Sequence, residues 1–357
     1  MRRALRLAER GRGRVAPNPA VGAVVVRGGR IAGEGWHKAL GSAHAECMAL
    51  TAAGAKSRGA TLYVTLEPCA HWGRTPPCTD KIVAAGIRRC VVAVKDPHPI
   101  VNGRGLRTLR AARVRVEVGV LADEAREALG GYWLAHTRAR PRVTLKLAAS
   151  LDGRIAPAGG FAARGAARWL TGAPARARAH RLRAASDAVV IGAGTARTDD
   201  PRLTARGVRG AHQPVRVLCD TRLRLPRTLR LLRSPLARGT IVACGARASR
   251  ATERELTTRG VAVWRLPVSS GGISLPALAR RLAREGLHEV LVEGGARLAT
   301  SWLAAGLVDR IALFTAPRLL GATALEWCGP LRRPLAGHVV EQGRAGEDAW
   351  CLVEMER

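Results

Sequence analysis

Three residues with metal-binding side chains and one carboxylate follow one another in the first quarter of the chain. His44 is followed two positions later by Glu46, and Pro68-Cys69 and then Cys78 come after the strand-like segment TLYVTL. A zinc ion in a catalytic site takes three protein ligands and keeps one position open for water. One imidazole and two thiolates meet that requirement, so we predict a zinc site formed by His44, Cys69 and Cys78.

Glu46 has a different predicted role, because a catalytic zinc site also needs a group that moves protons. Its carboxylate can take a proton from the attacking water and pass it to a leaving amine. The order H-x-E, P-C, C is typical of zinc-dependent nucleobase deaminases. A zinc-held scaffold without catalysis is the alternative, although a structural site normally has a fourth Cys or His and does not need Glu46. Cys47 is a rival ligand, but a cysteine on a helix is more often a small buried apolar residue.

The elements that must position these residues alternate between strand and helix. We predict a hairpin over 20–35, a helix over 43–53, a strand over 61–66, and a Pro-rich loop that leads to a helix over 79–86. A strand over 90–94, a helix over 105–112, a strand over 114–118 and a helix over 123–132 follow. This alternation predicts a layered α/β domain.

The polar segment ahead of Pro141 predicts a domain boundary, with one domain over 1–139 and another over 140–357. Two domains are the number expected for a chain of 357 residues.

The second half predicts another α/β unit. Helices are expected at 174–185, 250–259, 275–285 and 296–305, between strands at 142–150, 187–192, 215–220, 240–244, 261–266, 289–295 and 310–317. Gly294-Gly295 ends one strand and opens a helix, where backbone N–H groups can bind a cofactor phosphate; a turn that serves packing alone is the alternative. The G-x-G at Gly192 and Gly194 is not a dinucleotide fingerprint, because Arg197 occupies the third glycine position.

The spacing of the cysteines separates the deaminase classes. Eight residues lie between Cys69 and Cys78, whereas deaminases of nucleic acids usually have two. The segment TLEPCAHWGRTPPC, together with PNPAVG, GEGWH and NGRG, resembles the deaminase domain of the bifunctional deaminase/reductase family of riboflavin biosynthesis. Residues 142–325, with TLKLAASLDGRIA, VEGGARLA and LFTAPRLLG, resemble its reductase domain. The resemblance implies a cytidine-deaminase-like three-layer domain followed by a dihydrofolate-reductase-like domain.

The resemblance also implies site residues. The deaminase substrate would contact Asn18, His37, His71, Arg74 and Thr75. NADPH would contact Ala148, Trp169, Thr195, Asp199, Thr221, Gly295, Ala296, Arg297, Leu298, Ala299, Thr300 and Ser301. The reductase substrate would contact Lys146, Ala167, Arg183, Leu203, Arg206 and Glu293. Ala167 stands where the family often has Ser, which removes one hydrogen bond. Cys47-Met48 and His98 also depart from the family pattern, which has a Val-His pair and an Asn there.

The implied reactions are consecutive. Zinc-dependent hydrolysis would deaminate 2,5-diamino-6-(5-phosphoribosylamino)pyrimidin-4-one. NADPH would then reduce the ribosyl side chain of 5-amino-6-(5-phosphoribosylamino)uracil, giving 5-amino-6-(5-phosphoribitylamino)uracil. A nucleic-acid-editing deaminase, or a protein that keeps only one of the two activities, is the alternative.

Composition limits the partners and the compartment. The net charge is +32, which favours nucleic acid as a partner. However, arginine is spread over the whole chain without a localised patch or aromatic platforms, so we expect a coding bias and no nucleic-acid partner. The chain has no apolar run long enough for a membrane span and no secretory leader. We therefore expect reduced cysteines, a cytoplasmic enzyme with a small-molecule substrate and, by resemblance, a homo-oligomer.

Overall fold

The computed structural model describes residues 1–73, 76–161, 169–269 and 271–356. The chain forms two compact units, Met1–Arg140 and Pro141–Arg357, and each unit has its own hydrophobic core. None of the described helices is long and apolar enough to cross a membrane.

The first unit is built on a mixed five-stranded sheet in the order β2-β1-β3-β4-β5. β1 is antiparallel to β2 and β3, whereas β3, β4 and β5 are parallel. The strands are β1 (Gly22–Arg27), β2 (Arg30–Trp36), β3 (Thr61–Val64), β4 (Arg89–Val92) and β5 (Arg115–Val118). The helices are α1 (Arg2–Ala8), α2 (Ala45–Ala53), α3 (Cys78–Ala84), α4 (Arg104–Ala111), α5 (Ala122–Leu129) and α6 (Gly131–Arg138).

Helices cover both faces of this sheet, because side chains alternate along its strands. On β1, Ala23 and Val25 pack in the cluster that contains α2 residues, whereas Val24 packs with α1. Glycine allows close approach on both faces: a Cβ on Gly22 would lie 2.0 Å from the Ala4 carbonyl oxygen, and one on Gly35 would lie 2.3 Å from that of Ala45. The approach of α2 to β2 fixes the start of α2, which carries part of the predicted zinc site.

The second unit contains a nine-stranded sheet in the order β11-β10-β9-β8-β14-β6-β15-β18-β17. The strands from β11 to β15 in this order are parallel, and β18 and β17 are antiparallel additions. They are β6 (Arg142–Ser150), β8 (Ala188–Gly192), β9 (Val215–Cys219), β10 (Thr240–Gly245), β11 (Ala262–Leu266), β14 (Glu289–Glu293), β15 (Arg310–Ala316), β17 (Gly337–Ala345) and β18 (Asp348–Met355). The short strands β7 (Arg154–Ala156) and β16 (Leu325–Glu326) pair with each other, as do β12 (Val268–Ser269) and β13 (Gly272–Ile273). The helices are α7 (Ala173–Ala184), α8 (Ala193–Asp199), α9 (Arg250–Thr258), α10 (Leu275–Arg284) and α11 (Ala296–Ala304).

The α/β architecture expected for both halves is confirmed, with local differences. The single helix expected over 123–132 is two helices, α5 and α6, because Gly130 adopts a positive φ of 50° between them. The sequence patterns also missed α8 and the hairpin of β17 and β18. β17 was missed because eight of its nine residues are exposed. It therefore lacks the alternating apolar pattern of a half-buried strand.

Candidate active sites

Three separate elements bring the predicted zinc ligands together. His44 immediately precedes α2, Cys78 is the first residue of α3, and Cys69 lies in the loop after β3. Their ligand atoms all lie within 4.8 Å of one another. His44 Nδ1 is 3.1 Å from Cys78 Sγ and 3.7 Å from Cys69 Sγ. Ligand atoms around a tetrahedral zinc ion are separated by roughly 3.5–3.8 Å, so this donor set and its spacing fit zinc.

Backbone groups of α3 bind Cys69. The Cys78 amide donates to Cys69 Sγ at 3.4 Å, and the Thr79 amide donates to the Cys69 carbonyl oxygen at 3.2 Å. Hydrogen bonds with Cys78 and then with His44 lower the pKa of Cys69 to about 4, despite burial. Hydrogen bonds with Cys47 and then with Cys69 raise the pKa of Cys78, which is the proton donor to Cys69. The hydrogen bond to Cys69 raises the pKa of His44 to about 9. Cys69 therefore carries a negative charge, as a zinc ligand requires.

Glu46 is the second residue of α2 and is 4% exposed. Burial, and to a smaller extent the charge of Cys69, raise its pKa to about 7. A carboxyl group with a pKa near neutrality can both accept and release a proton under physiological conditions. Cys47 is also buried, and its thiol hydrogen-bonds with Cys78, but its sulfur is outside the ligand group formed by the other three residues.

Two of the predicted deaminase substrate contacts are linked to the ligand His44. Asn18 Nδ2 lies 3.3 Å from His37 Nε2, and His37 Nδ1 lies 3.3 Å from the Ala43 carbonyl oxygen. This geometry suits a ring that donates from Nδ1 and accepts from Asn18. The ring of His37 meets that of His44 edge to face, with 5.4 Å between centroids. Burial lowers the pKa of His37, which favours the neutral ring.

The other deaminase contacts belong to the loop between the two cysteines. His71 Nδ1 is buried and has no hydrogen-bond partner among the described residues, so it is available to a ligand. Arg74 and Thr75 lie outside the described residues.

In the second unit, the predicted reductase residues surround one cavity of about 2320 Å³. Pockets for drug-sized ligands have volumes of roughly 300–1,000 Å³, so this cavity has room for a dinucleotide and a second molecule. The described substrate candidates line it: Lys146, Arg183, Leu203, Arg206 and Glu293. Ten cofactor candidates also line it: Ala148, Trp169, Thr195, Asp199, Thr221, Gly295, Ala296, Arg297, Leu298 and Ser301. Ala167 lies outside the described residues.

Two cofactor candidates on α11 do not line this cavity in the described part of the chain. Ala299 packs in the hydrophobic core. The hydroxyl of Thr300 donates to the Ala296 carbonyl oxygen at 2.8 Å and accepts from the Gly329 amide at 2.8 Å. The helical periodicity of α11 explains the positions of both residues, because only one face of a helix can line the cavity.

The turn before α11 has the shape expected for a phosphate site, with one amide already engaged. The Gly295 N–H donates to Thr195 Oγ1 at 3.1 Å. A Cβ on Gly294 would lie 3.3 Å from Leu298 Cδ2, so the turn is closely packed against the first residues of its own helix. The cavity, the open N-terminus of α11 and the small residues beside it fit the phosphate end of a nucleotide cofactor.

Charged residues in the middle of β6 and at the carboxyl end of β14 form the polar part of the cavity. Lys146 and Glu293 are paired in register on these neighbouring strands. Arg183 Nε and Nη2 donate to the two carboxylate oxygens of Glu293 at 2.6 and 2.8 Å. Burial lowers the pKa of Lys146. Burial would raise the pKa of Glu293, but the charge of Arg183 and its hydrogen bonds outweigh this effect and lower it.

Sequence reasoning missed three residues that support these sites. Glu67 accepts three backbone hydrogen bonds beside the Cys69 loop. Gln213 makes two hydrogen bonds, each of 2.9 Å, with the backbone of Ala205. His180 Nδ1 lies 3.1 Å from the Thr204 carbonyl oxygen. Of the three, only Glu67 had a sequence signal, because it directly precedes the Pro-Cys pair. Gln213 and His180 contact the backbone of Ala205 and Thr204, and nothing in the sequence spacing links them to that segment.

Comparisons with known proteins find relatives for both halves of the chain. Residues 1–94 match the family model described as the cytidine and deoxycytidylate deaminase zinc-binding region, and residues 141–332 match the RibD C-terminal domain. The riboflavin biosynthesis protein RibD of Aquifex aeolicus is 44% identical, with 90% of this chain and 87% of the relative covered. The RibD of Escherichia coli is 40% identical, with 92% and 89% covered.

Solved structures extend the likeness to the whole fold. RibD from Acinetobacter baumannii matches with a TM-score of 0.88 and 36% identity, covering 99% of this chain and 97% of that one. A diaminohydroxyphosphoribosylaminopyrimidine deaminase/5-amino-6-(5-phosphoribosylamino)uracil reductase from Thermotoga maritima matches with a TM-score of 0.83 and 34% identity, covering 99% and 97%. The identity extends over almost the full length of these relatives and includes both units, so this chain belongs to the RibD family of riboflavin-biosynthesis proteins.

Proposed function

We propose that this chain catalyses two consecutive steps of riboflavin biosynthesis, with residues 1–139 as a zinc-dependent deaminase and residues 140–357 as an NADPH-dependent reductase. The first substrate is 2,5-diamino-6-(5-phosphoribosylamino)pyrimidin-4-one, and the final product is 5-amino-6-(5-phosphoribitylamino)uracil. The observation that carries the proposal is the grouping of His44, Cys69 and Cys78 within 4.8 Å in a chain that also has the reductase cavity.

In the deaminase half, His44, Cys69 and Cys78 hold the metal. Zinc, when bound, lowers the pKa of a water molecule to about 7 and so supplies the nucleophile. Glu46 accepts the proton of that water and delivers it to the departing amino group, which leaves as ammonia. Asn18 and His37 orient the pyrimidine beside His44, and His71 donates or accepts a hydrogen bond through Nδ1, which has no partner among the described residues.

In the reductase half, the turn at Gly295 and the start of α11 hold the cofactor phosphate. NADPH, when bound, supplies the hydride that reduces C1 of the sugar. Arg206 binds the substrate phosphate, since its guanidinium is exposed at the cavity and has no carboxylate partner among the described residues. Lys146 and Glu293 lie at the polar end of the cavity, where they orient the ribosyl group.

Ammonia release and NADPH absorbance, followed together on the diaminopyrimidine substrate, test both assignments. The zinc-loaded protein is expected to release ammonia and then oxidise NADPH. Glu46→Gln is expected to lower ammonia release by about 10²- to 10⁴-fold, yet to oxidise NADPH at the wild-type rate when the deaminated uracil is supplied. If neither signal changes in the wild type, the proposal fails.

The finer assignments are also proposals. We infer a cytoplasmic location, supported by eight cysteines that are all free thiols, as in reducing compartments. We infer a homo-oligomer and a small-molecule substrate without a nucleic-acid partner. Light scattering coupled to gel filtration, and a titration with single-stranded RNA at low salt, test these two inferences.

A further inference from the structure

The loop that carries Cys69 is packed directly against helix α4. Gly105 is the second residue of α4, and a Cβ built on it would lie 1.9 Å from the Pro68 carbonyl oxygen and 3.3 Å from Glu67 Cγ. No side chain fits into that space, because the nearest atom is backbone. Gly105 therefore allows α4 to rest on the peptide group that links Pro68 to Cys69.

The Glu67 carboxylate joins the Cys69 loop to α4 and also to the segment that contains Asp96. It is 4% exposed. One oxygen accepts from the amides of Gly103 at 2.9 Å and Asp96 at 3.2 Å, and the other accepts from the Leu106 amide at 3.2 Å. Gly103, at the start of α4, has a φ of 87° and no side chain that could cap the helix. Glu67 thus caps α4 from a distant part of the chain, and the positive end of the helix favours its negative charge.

These two contacts act on the residues that directly precede Cys69. From the other direction, the Cys78 and Thr79 amides bind Cys69 through its sulfur and its carbonyl oxygen. We propose that Glu67 and Gly105 are positioning residues for zinc: they fix the Cys69 sulfur at the distance from His44 and Cys78 that the metal requires. This proposal rests on the assignment of Cys69 as a zinc ligand in the proposed function.

A purely structural role would have a different signature. If Glu67 and Gly105 affected only the stability of α4, their variants would change the unfolding temperature but would bind zinc as the wild type does. If they position Cys69, the metal affinity and the thiolate–metal contact change together. Residues that orient metal ligands typically contribute about 10- to 100-fold to metal affinity.

Gly105→Ala gives a test in which two effects have opposite signs. Alanine is the better helix former, so helix propensity alone predicts a more stable α4. The contact with the Pro68 carbonyl oxygen predicts instead that Cys69 is displaced and that zinc affinity falls by about 10- to 100-fold. The matched control is Gly73→Ala in the loop between the cysteines, where a Cβ meets no described atom within 4 Å, and its zinc affinity is expected to equal that of the wild type.

Glu67→Gln is the second variant and decides the question if Gly105→Ala does not fold. The amide nitrogen that replaces one oxygen cannot accept a backbone N–H, so at least one of the three hydrogen bonds is lost. Two measurements apply to both variants: competition for zinc with a chromophoric chelator, and the thiolate-to-cobalt charge-transfer absorption of the cobalt-loaded protein. NADPH oxidation with the deaminated uracil, expected to be unchanged, shows that the second unit is intact.

The expected result is weaker zinc binding and a weaker charge-transfer band per cobalt in both variants. Wild-type zinc affinity and an unchanged band in both variants, even with a lower unfolding temperature, would overturn the proposal. A wild-type protein that binds no zinc would overturn the assignment of Cys69 itself, and the positioning role with it.

Discussion

Arg183 and Glu293 form a two-point ion pair inside the reductase cavity, with the guanidinium reaching both carboxylate oxygens at 2.6 and 2.8 Å. Both side chains are mostly buried. Because the Arg183 charge is already neutralised, it is a weaker phosphate ligand than the exposed Arg206. The Glu293 carboxylate thus lies beside both the Arg183 guanidinium and the Lys146 amine in one buried region.

Glu293→Ala is therefore expected to damage the reductase severely. The substitution leaves the buried Arg183 guanidinium without its carboxylate, and loss of one partner of a buried pair costs about 3–5 kcal/mol. We expect a lower unfolding midpoint in urea and loss of NADPH oxidation, with ammonia release retained. A variant with wild-type stability would show that Glu293 does not neutralise the Arg183 charge.

Cys47→Val is expected to leave the zinc content at one per chain, because the Cys47 sulfur is outside the ligand group. Cys78→Ser, in contrast, removes a ligand and is expected to lose most of the metal. Elemental analysis after dialysis measures both. Equal loss of zinc from the two variants would make Cys47 a ligand.

Gln213 is expected to hold the substrate segment of the reductase. Its amide pairs with both backbone groups of Ala205, next to Arg206 and close to Leu203, whose φ is 52°. Loss of two hydrogen bonds at about 0.5–1.5 kcal/mol each predicts that Gln213→Ala raises KM for the uracil substrate by about tenfold and leaves KM for NADPH unchanged.

Gln213→Glu is the matched comparison for this prediction. A carboxylate can still accept from the Ala205 amide but repels the Ala205 carbonyl oxygen, so we expect no rescue. Equal increases in both KM values would indicate a general loss of structure instead of a displaced substrate segment.

We expect the buried carboxyl group of Asp187 to make the stability of the protein depend on pH. One of its oxygens accepts from the amides of His288 and Glu289, both at 2.8 Å. Burial raises its pKa from 3.8 to about 7, with Glu289 contributing. The folded state therefore holds a proton that the unfolded state has lost, so this contribution to stability is full below pH 4 and disappears as pH rises towards 7.

Asp187→Asn removes the titrating group and keeps an oxygen that can accept hydrogen bonds from both backbone amides. The unfolding temperature of the wild type is expected to fall relative to that of the variant between pH 4 and pH 7, with a constant difference above pH 7. Parallel curves over the whole range would contradict the raised pKa.

The sequence predicted what depends on local spacing. The order of His44, Glu46, Cys69 and Cys78 was sufficient to propose the metal site, and the periodicity of 43–53 and 142–150 predicted α2 and β6. The role of Glu67 could not be predicted in this way, because two of its partners lie 36 and 39 residues further along the chain. A glycine such as Gly130 is compatible with a continuous helix and with a break between two helices. Tertiary packing, which the sequence pattern does not show, decides between the two.

The loop between the cysteines is closed at its base. The Cys78 amide bonds to the Cys69 sulfur at 3.4 Å, and the Thr79 amide bonds to the Cys69 carbonyl oxygen at 3.2 Å. The start of α3 thus binds Cys69 and supplies Cys78, and these contacts do not involve the residues that run between the two cysteines. If the loop contacts the substrate as proposed, metal chemistry and substrate choice are separable in this architecture: we expect insertions in the loop to change which pyrimidine is accepted and to leave His44, Cys69 and Cys78 in place.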